Sequence, residues 1–189
     1  MTELYIKNMV CPRCVMAVRE LLANHGLTAI DVVLGMAQVA ENLTAEQTDK
    51  LRIGLHDLGF DLLDDPQQQL VEQIRTTVIE WVRQESEREK LSVYVQGRIA
   101  KDYSLLSKLF SETSGMTIER YCILQRVEYA KELLCYSELT NAEIAFQSGY
   151  ASPAHFSSQF RQETGMTPTQ FRQQSGNRSL TLRRSLDEI

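Results

Sequence analysis

Two cysteines three positions apart, Cys11 and Cys14 in the stretch KNMVCPRCVMAV at residues 7–18, are the residues whose type and spacing most directly suggest chemistry. Two thiolates on a loop leading into a helix can point at one ion. The helix N-terminus stabilises negative charge, and so favours the ligating form of the thiol. Soft thiolates select Cu(I) and also bind Zn(II). Zinc prefers four ligands and only two are evident, so Cu(I), or a site shared between two protomers, fits better.

The surrounding elements must hold that pair. ELYI at residues 3–6 reads as a strand. After the cysteines, Val15, Val18 and Leu22 share one helical face with Leu21 beside it, and Pro12 suits the first turn. The helix should stop near His25-Gly26. Ile30, Val32 and Leu34 then alternate, and MAQVA follows Gly35, which predicts a hairpin. Thr44 to Gln47 form a capping-box pattern opening a helix with Leu51, Leu55 and Leu58 on one face, and FDLL at 60–63 is a last strand. Strand, helix, strand, strand, helix, strand is the split βαβ order.

The same Cys-x-x-Cys spacing serves a redox pair. A thioredoxin-like enzyme would need a proline loop opposite the cysteines, and Pro12 is the only proline before Pro66. A disulfide sensor stays open, as does a small α+β module that serves only as a dimer or partner surface. The three histidines, His25, His56 and His155, are scattered. Cys122 and Cys135 fall on a later helix and read as small hydrophobes. With no histidine near a nucleophile, no paired catalytic carboxylates and no phosphate loop, an enzyme is not expected.

The 189 residues suffice for two small domains. Four cysteines are too few and too scattered for a disulfide framework, and fit a reducing compartment. No apolar run reaches the roughly 18 residues of a membrane span, and Glu3 and Lys7 interrupt any signal-peptide pattern, so a cytoplasmic location is expected. Net charge is −5. Residues 1–66 carry 5 Lys and Arg against 10 Asp and Glu, whereas residues 91–175 carry 8 of each. Charge alone therefore gives no support for nucleic-acid binding.

Pattern does. Beyond Asp64-Asp65-Pro66 no convincing strand occurs. Residues 67–85 form an amphipathic helix with Leu70, Val71, Ile74, Val78, Trp81 and Val82 on its apolar face, and ESEREK closes it as a linker or solvated end. Residues 102–121 then repeat at 152–171, an offset of 50 residues: Ser107 meets Ser157, Phe110 meets Phe160, and Gly115-Met116-Thr117 meets Gly165-Met166-Thr167. Asp102 and Ser152 are N-caps in register, with Pro153 in the first turn. Before the second copy, Thr140 to Glu143 form a capping box, and Ser148-Gly149-Tyr150 makes a tight turn, giving a helix-turn-helix arrangement. The first copy is less regular there, with Ala100 near the turn. A helix over about 117–136, with Tyr121, Leu124, Val127, Leu133 and Leu134 on its apolar side, separates the units. Phe110, Phe156, Phe160 and Phe171 are core candidates.

The stretches IAFQSGYASPAHFSSQFRQETGMTPTQFR and LLSKLFSETSGMT closely resemble the DNA-binding domain of the AraC/XylS family of bacterial transcription regulators, over about Gln67 to Gln174. The resemblance implies two units whose second helices enter successive major-groove segments on one face of DNA, about 10 base pairs apart. By position, Tyr103–Ser111 offers Ser104, Ser107, Lys108 and Ser111. Pro153–Gln162, capped by Ser152, offers Ala154, His155, Ser158, Gln159, Arg161 and Gln162. Leu105, Leu106, Leu109, Phe156 and Phe160 are expected to face inward or crowd the core. Gln159, Arg161 and His155 are long enough to reach base edges, and Arg161 serves a phosphate equally well. A net-neutral reader binds DNA weakly without sequence preference, so a homodimer or a basic tail contact is expected to add affinity.

Residues 1–65 in turn resemble a heavy-metal-associated domain of the copper-chaperone type, through Met9, Cys11, Cys14 and the LGF at 58–60. Asn8 stands where that family usually has Gly, and Val10 where it usually has Thr. The expected architecture is thus an α+β ferredoxin-like (βαββαβ) domain at 1–65, an all-α double helix-turn-helix domain at 67–175 and a mobile tail at 176–189. The expected function is transcription regulation through double-stranded DNA, responsive to Cu(I) or Zn(II) at Cys11 and Cys14. The alternatives are a thiol-redox-responsive regulator, or a metal-trafficking or buffering protein whose helical half binds a protein.

Overall fold

The computed structural model describes residues 1–84 and 88–176. It opens with β1 (Thr2–Lys7), α1 (Pro12–Asn24), β2 (Ala29–Val33), β3 (Met36–Val39), α2 (Ala45–Asp57) and β4 (Asp61–Leu63). The strands form one sheet in the order β2-β3-β1-β4, and every paired neighbour is antiparallel. The element order is the one the hydrophobic periods predict. Thr44 and Gln47 close a reciprocal capping box on α2, as the sequence indicates. Leu4, Ile6, Met9, Val18, Leu22, Val32, Val39, Leu51 and Leu55 fill the core between sheet and helices.

Two expectations fail locally. A β-bulge between Ala29 and Asp31 breaks the alternation of β2, so Val32 is buried while Ile30 turns outward at 51% exposure. Leu58 follows the end of α2 as its C-cap and is 49% exposed, off the face formed by Leu51 and Leu55.

Beyond β4, the described residues are helical and strand-free: α3 (Pro66–Val82), α4 (Leu91–Ile99), α5 (Tyr103–Ser114), α6 (Ile118–Tyr136), α7 (Asn141–Gln147), α8 (Pro153–Thr164) and α9 (Pro168–Gly176). The expected mobile tail lies, past Gly176, outside the described residues. α6 serves two cores. Its first half gives Ile118, Tyr121 and Cys122 to a cluster with Ile74, Trp81, Leu106 and Phe110. Its second half gives Val127, Ala130 and Leu134 to a cluster with Ile144, Tyr150, Phe156 and Phe160. Of the four phenylalanines expected inside, Phe171 is only half-buried, against the rim of that second cluster. Cys135 is exposed, which corrects its reading as a packed hydrophobe.

α3 has two faces. Val71, Ile74, Val78, Trp81 and Val82 enter the helical core. On the other side Glu72 and Thr76 lie under Gly35, where an added Cβ would meet the Thr76 methyl at 2.7 Å. Gln73 hydrogen-bonds Tyr5 of β1, and the Gln69 amide donates to the Leu63 carbonyl at 2.9 Å. The helix that begins the helical part therefore also rests on the sheet.

Candidate nucleic-acid interface

Each helix-turn-helix unit begins with a short helix, turns, and presents a longer one. In the first, α4 stops where Ala100 adopts a left-handed conformation (φ 54°), and Asp102 caps α5 through the Ser104 backbone N–H. In the second, α7 stops at Ser148, the left-handed residue is Gly149 (φ 80°), and Ser152 caps α8 through the His155 N–H at 3.2 Å. The helices α5 and α8 stay in register at the 50-residue offset, and both end on a left-handed glycine, Gly115 and Gly165. The turns are one residue out of register, because the left-handed position falls at 100 in one unit and 149 in the other. Both helices run past the stretches expected from sequence, to Ser114 and Thr164.

The inward positions are occupied by Leu106 and Phe110 in α5 and by Phe156 and Phe160 in α8, all fully buried. Ser104, Lys108, Ala154, His155, Ser158, Arg161 and Gln162 are exposed, as expected of outward residues. Ser107, Ser111, Ser152 and Gln159 are half-buried and already engaged or shielded. The Ser111 hydroxyl donates to the Ser107 carbonyl at 2.8 Å, Ser152 is spent on capping, and Gln159 hydrogen-bonds Glu163. The Ser104 hydroxyl is likewise turned back onto Asp102. Among the long side chains, Lys108 has Glu112 at 3.9 Å, whereas Arg161 makes no ion pair with a described residue. His155 stands edge-on to Tyr150 at 5.5 Å between ring centres.

One inward assignment is wrong. Leu105, read from sequence as facing or crowding the core, is 55% exposed in the first turn of α5. A helix that buries 106 and 110 turns 105 about 100° away from its neighbour, and Leu109, four positions on, is only half-buried.

Three arginine contacts tie the helices around the two units. Arg120, in the first turn of α6, forms a bidentate pair with Glu163 of α8 at 2.6 and 2.8 Å, and its hydrogen bonds, with its charge behind them, hold the Glu163 carboxyl below the usual range. Arg83 reaches Glu132 at 2.9 Å and lies over the Tyr129 ring, tying α3 to α6. Arg88 is the least expected. It belongs to the charged run read from sequence as a solvated end, yet its guanidinium donates to the carbonyls of Trp81 and Val82 at the end of α3, of Gln84 just beyond it, and of Gln147 at the end of α7. A forked cation satisfies carbonyls that two helix ends leave unpaired. Burial, and then the nearby Arg126, pull the Arg88 pKa down. Residues 85–87 of that run lie outside the described residues.

At the other end of the molecule, Cys11 is the N-cap residue of α1, with Pro12 at its first position. The two sulfurs are 3.5 Å apart, within reach of a thiol hydrogen bond and with no disulfide between them. Met9 is wholly buried in the core beneath them. Burial raises the Cys14 thiol pKa, and hydrogen bonding and charge from Cys11 add to this, against backbone hydrogen bonds at Val10 and Cys11 that lower it. The expectation that the helix start would favour thiolate is thus reversed by desolvation. Asn8 sits at φ 74°, a left-handed conformation that only Gly and, among side-chain residues, Asn or Asp adopt readily. Its amide donates to the Gly59 carbonyl at 3.1 Å, so the LGF loop and the cysteine loop are joined. No group of three or more His, Cys, Asp or Glu gathers as a metal site among the described residues.

Residues 98–174 match the family described as a helix-turn-helix domain. The HTH-type transcriptional activator RhaR of Cronobacter sakazakii is 42% identical over 71 residues, spanning 38% of this chain and 25% of that protein. RhaR of Salmonella arizonae is 41% identical over 68 residues, spanning 36% and 24%. The chain therefore covers about a quarter of the length of these relatives. Two solved structures share the fold. A DNA-binding transcriptional dual regulator from Escherichia coli K-12 aligns at TM-score 0.50 and 22% identity, over 58% of this chain and 94% of that one. The C-terminal domain of AraT, a response regulator from Geobacillus stearothermophilus, aligns at 0.50 and 24%, over 65% and 93%. Residues 98–174 of this chain thus match a helix-turn-helix domain, and its helices share their fold with those two structures.

Proposed function

We propose that the protein is a transcription regulator that binds double-stranded DNA through α5 and α8 in successive major-groove segments. The observation that carries this reading is the matched pair of outward faces. Residues 104, 105, 108 and 112 of α5 and 154, 155, 158 and 162 of α8 are all exposed at one constant offset. The 19-residue α6 between them spans about 28 Å, close to the ~34 Å repeat of B-DNA. Arg161 is the strongest candidate for a base or phosphate contact, because no carboxylate competes for it. Gln159, committed to Glu163, is the weaker member of the pair singled out by sequence. With equal numbers of cationic and anionic residues over 91–175, affinity at moderate salt rests on few phosphate contacts. A second copy of the chain is the simplest way to add more.

The test is selection of duplexes from a randomised library, followed by binding curves for wild type and Arg161→Ala. A loss of about 1–3 kcal/mol is expected if Arg161 makes a base contact. Failure to enrich any duplex overturns the reading and favours a protein-binding helical half.

For residues 1–65 we propose a ferredoxin-like input domain in which Cys11 and Cys14 hold one soft metal ion. Cys11 and Cys14, two thiols in contact on one loop, would hold a soft cation, which would supply positive charge at that loop. The raised Cys14 thiol pKa means that binding must displace protons, so uptake strengthens as pH rises. α3, resting on the sheet and in the helical core at once, is the element through which occupancy would reach DNA. Anaerobic Cu(I) titration of wild type and a Cys11→Ser/Cys14→Ser variant, each followed by DNA-binding curves, separates uptake from coupling. Equal uptake by both proteins overturns the metal site. Uptake without a change in DNA affinity overturns the coupling.

A further inference from the structure

We infer that Leu105 is a specificity-determining residue of the first unit, reading the C5-methyl group of a thymine; the inference rests on the DNA-binding reading above. Leu105 occupies the third position of α5, and N-terminal residues of a recognition helix are the ones that meet base edges. It is 55% exposed, while its neighbours Leu106 and Phe110 are fully buried, so the core does not use its side chain. Its counterpart at the 50-residue offset is His155, also exposed and in the same turn of α8, so the outward placement belongs to the repeat rather than to a local distortion.

Chemistry then selects the partner. A leucine side chain has no donor or acceptor for a base edge. The apolar feature of the major groove is the thymine methyl. The polar groups around Leu105 leave it little competition: the Ser104 hydroxyl is turned back to Asp102, and Lys108 is drawn toward Glu112 one turn on. The first unit therefore reads partly by burial of a methyl group, whereas the second presents His155, Arg161 and Gln162, all hydrogen-bonding side chains.

The experiment uses the full chain and the duplex enriched from a randomised library. Each thymine is replaced in turn by deoxyuridine, which removes only the methyl group, and affinities are measured for wild type, Leu105→Ala and Leu105→Met. Wild type should lose about threefold to fourfold at one thymine, the value of one buried methyl-sized group. Leu105→Ala should bind the thymine and uracil duplexes alike at that position, and Leu105→Met should retain the discrimination. An unchanged uracil penalty in Leu105→Ala, or the absence of any penalty in wild type, overturns the inference while leaving DNA binding intact. Failure to enrich a duplex overturns the DNA-binding reading on which it rests.

Discussion

The two helix-turn-helix units are built to one plan and finished differently. In the second, the turn has glycine at its left-handed position, the preceding helix has a complete capping box at Thr140 and Glu143, and α8 carries Arg161, which has no ion pair among the described residues. In the first, alanine holds the left-handed position, α4 follows its N-cap Lys90 without a side-chain cap, and Lys108 of α5 faces a glutamate four residues on. Local signals are therefore strong in the second unit and weak in the first. The first unit compensates through tertiary contacts: its core is completed by α3, with Ile74, Val78 and Trp81 beside Leu106 and Phe110, and Arg75 lies over the rings of Phe110 and Tyr121. A unit that is poorly specified locally can still be well specified by what packs on it.

That contrast can be broken most forcefully at the two cores. Phe110→Ala and Phe160→Ala should each cost about 3–5 kcal/mol, since both rings are fully buried. Because the rings lie in separate clusters, hydrogen exchange should show α5 losing protection in the first variant and α8 in the second. Equal loss in both helices from either change would mean that α6 makes the units one cooperative body.

Next in size is Arg88, the cation that joins the carbonyls at the C-terminal end of α3 to the end of α7. Arg88→Ala should lower stability by roughly 1.5–3 kcal/mol in urea denaturation, the range for hydrogen bonds to a charged group. Arg88→Lys should not restore it, because an ammonium cannot form the fork. Recovery by lysine would reduce the contact to simple charge.

Ala100→Gly sharpens the comparison in the opposite direction. Relieving a left-handed alanine should stabilise the protein by about 1 kcal/mol, seen as a raised midpoint of unfolding. The same logic predicts that Gly149→Ala destabilises the second unit, by more than backbone strain alone, because the new Cβ would collide with the Arg88 guanidinium. A neutral Ala100→Gly would show that the first turn has relaxed around its alanine.

The smallest effect is the Arg120–Glu163 pair. Arg120 is half-exposed, so the pair contributes no more than about 1 kcal/mol. The folded-state pKa of Glu163 is lowered, chiefly by the hydrogen bonds and charge of Arg120. Its contribution is therefore full above the unfolded carboxylate value of about 4.3, and is lost as pH falls through the lower folded value. The stability difference between wild type and Glu163→Gln should be present at pH 7 and vanish toward acid. A difference independent of pH would assign the effect to packing.

Much of this was legible in the chain itself. The 50-residue repeat, the caps Asp102, Ser152 and Thr140, the burial of Phe110, Phe156 and Phe160 and the βαββαβ order are all written in residue type and spacing. What was misread shares a physical cause. Ile30 was assigned by strict alternation, which a bulge breaks. Leu58 and Leu105 were assigned inward because they are apolar, yet a helix turns each residue about 100° from the last and only part of its circumference faces the core. Arg88 was assigned to a solvated run because charged residues usually are solvated. Nothing local announces that its guanidinium will find four carbonyls, one of them 59 positions away.

The sequence by itself determined the elements, their caps and their repeat, because capping, turn chemistry and hydrophobic period act over a few residues. Only the tertiary structure decided which face each borderline residue presents, that α3 rests on the sheet as well as in the helical core, that Arg88 bridges two helix ends, and that the Cys14 thiol is raised rather than lowered. Those outcomes depend on desolvation and on partners far apart in the chain, and neither is encoded at the positions they affect.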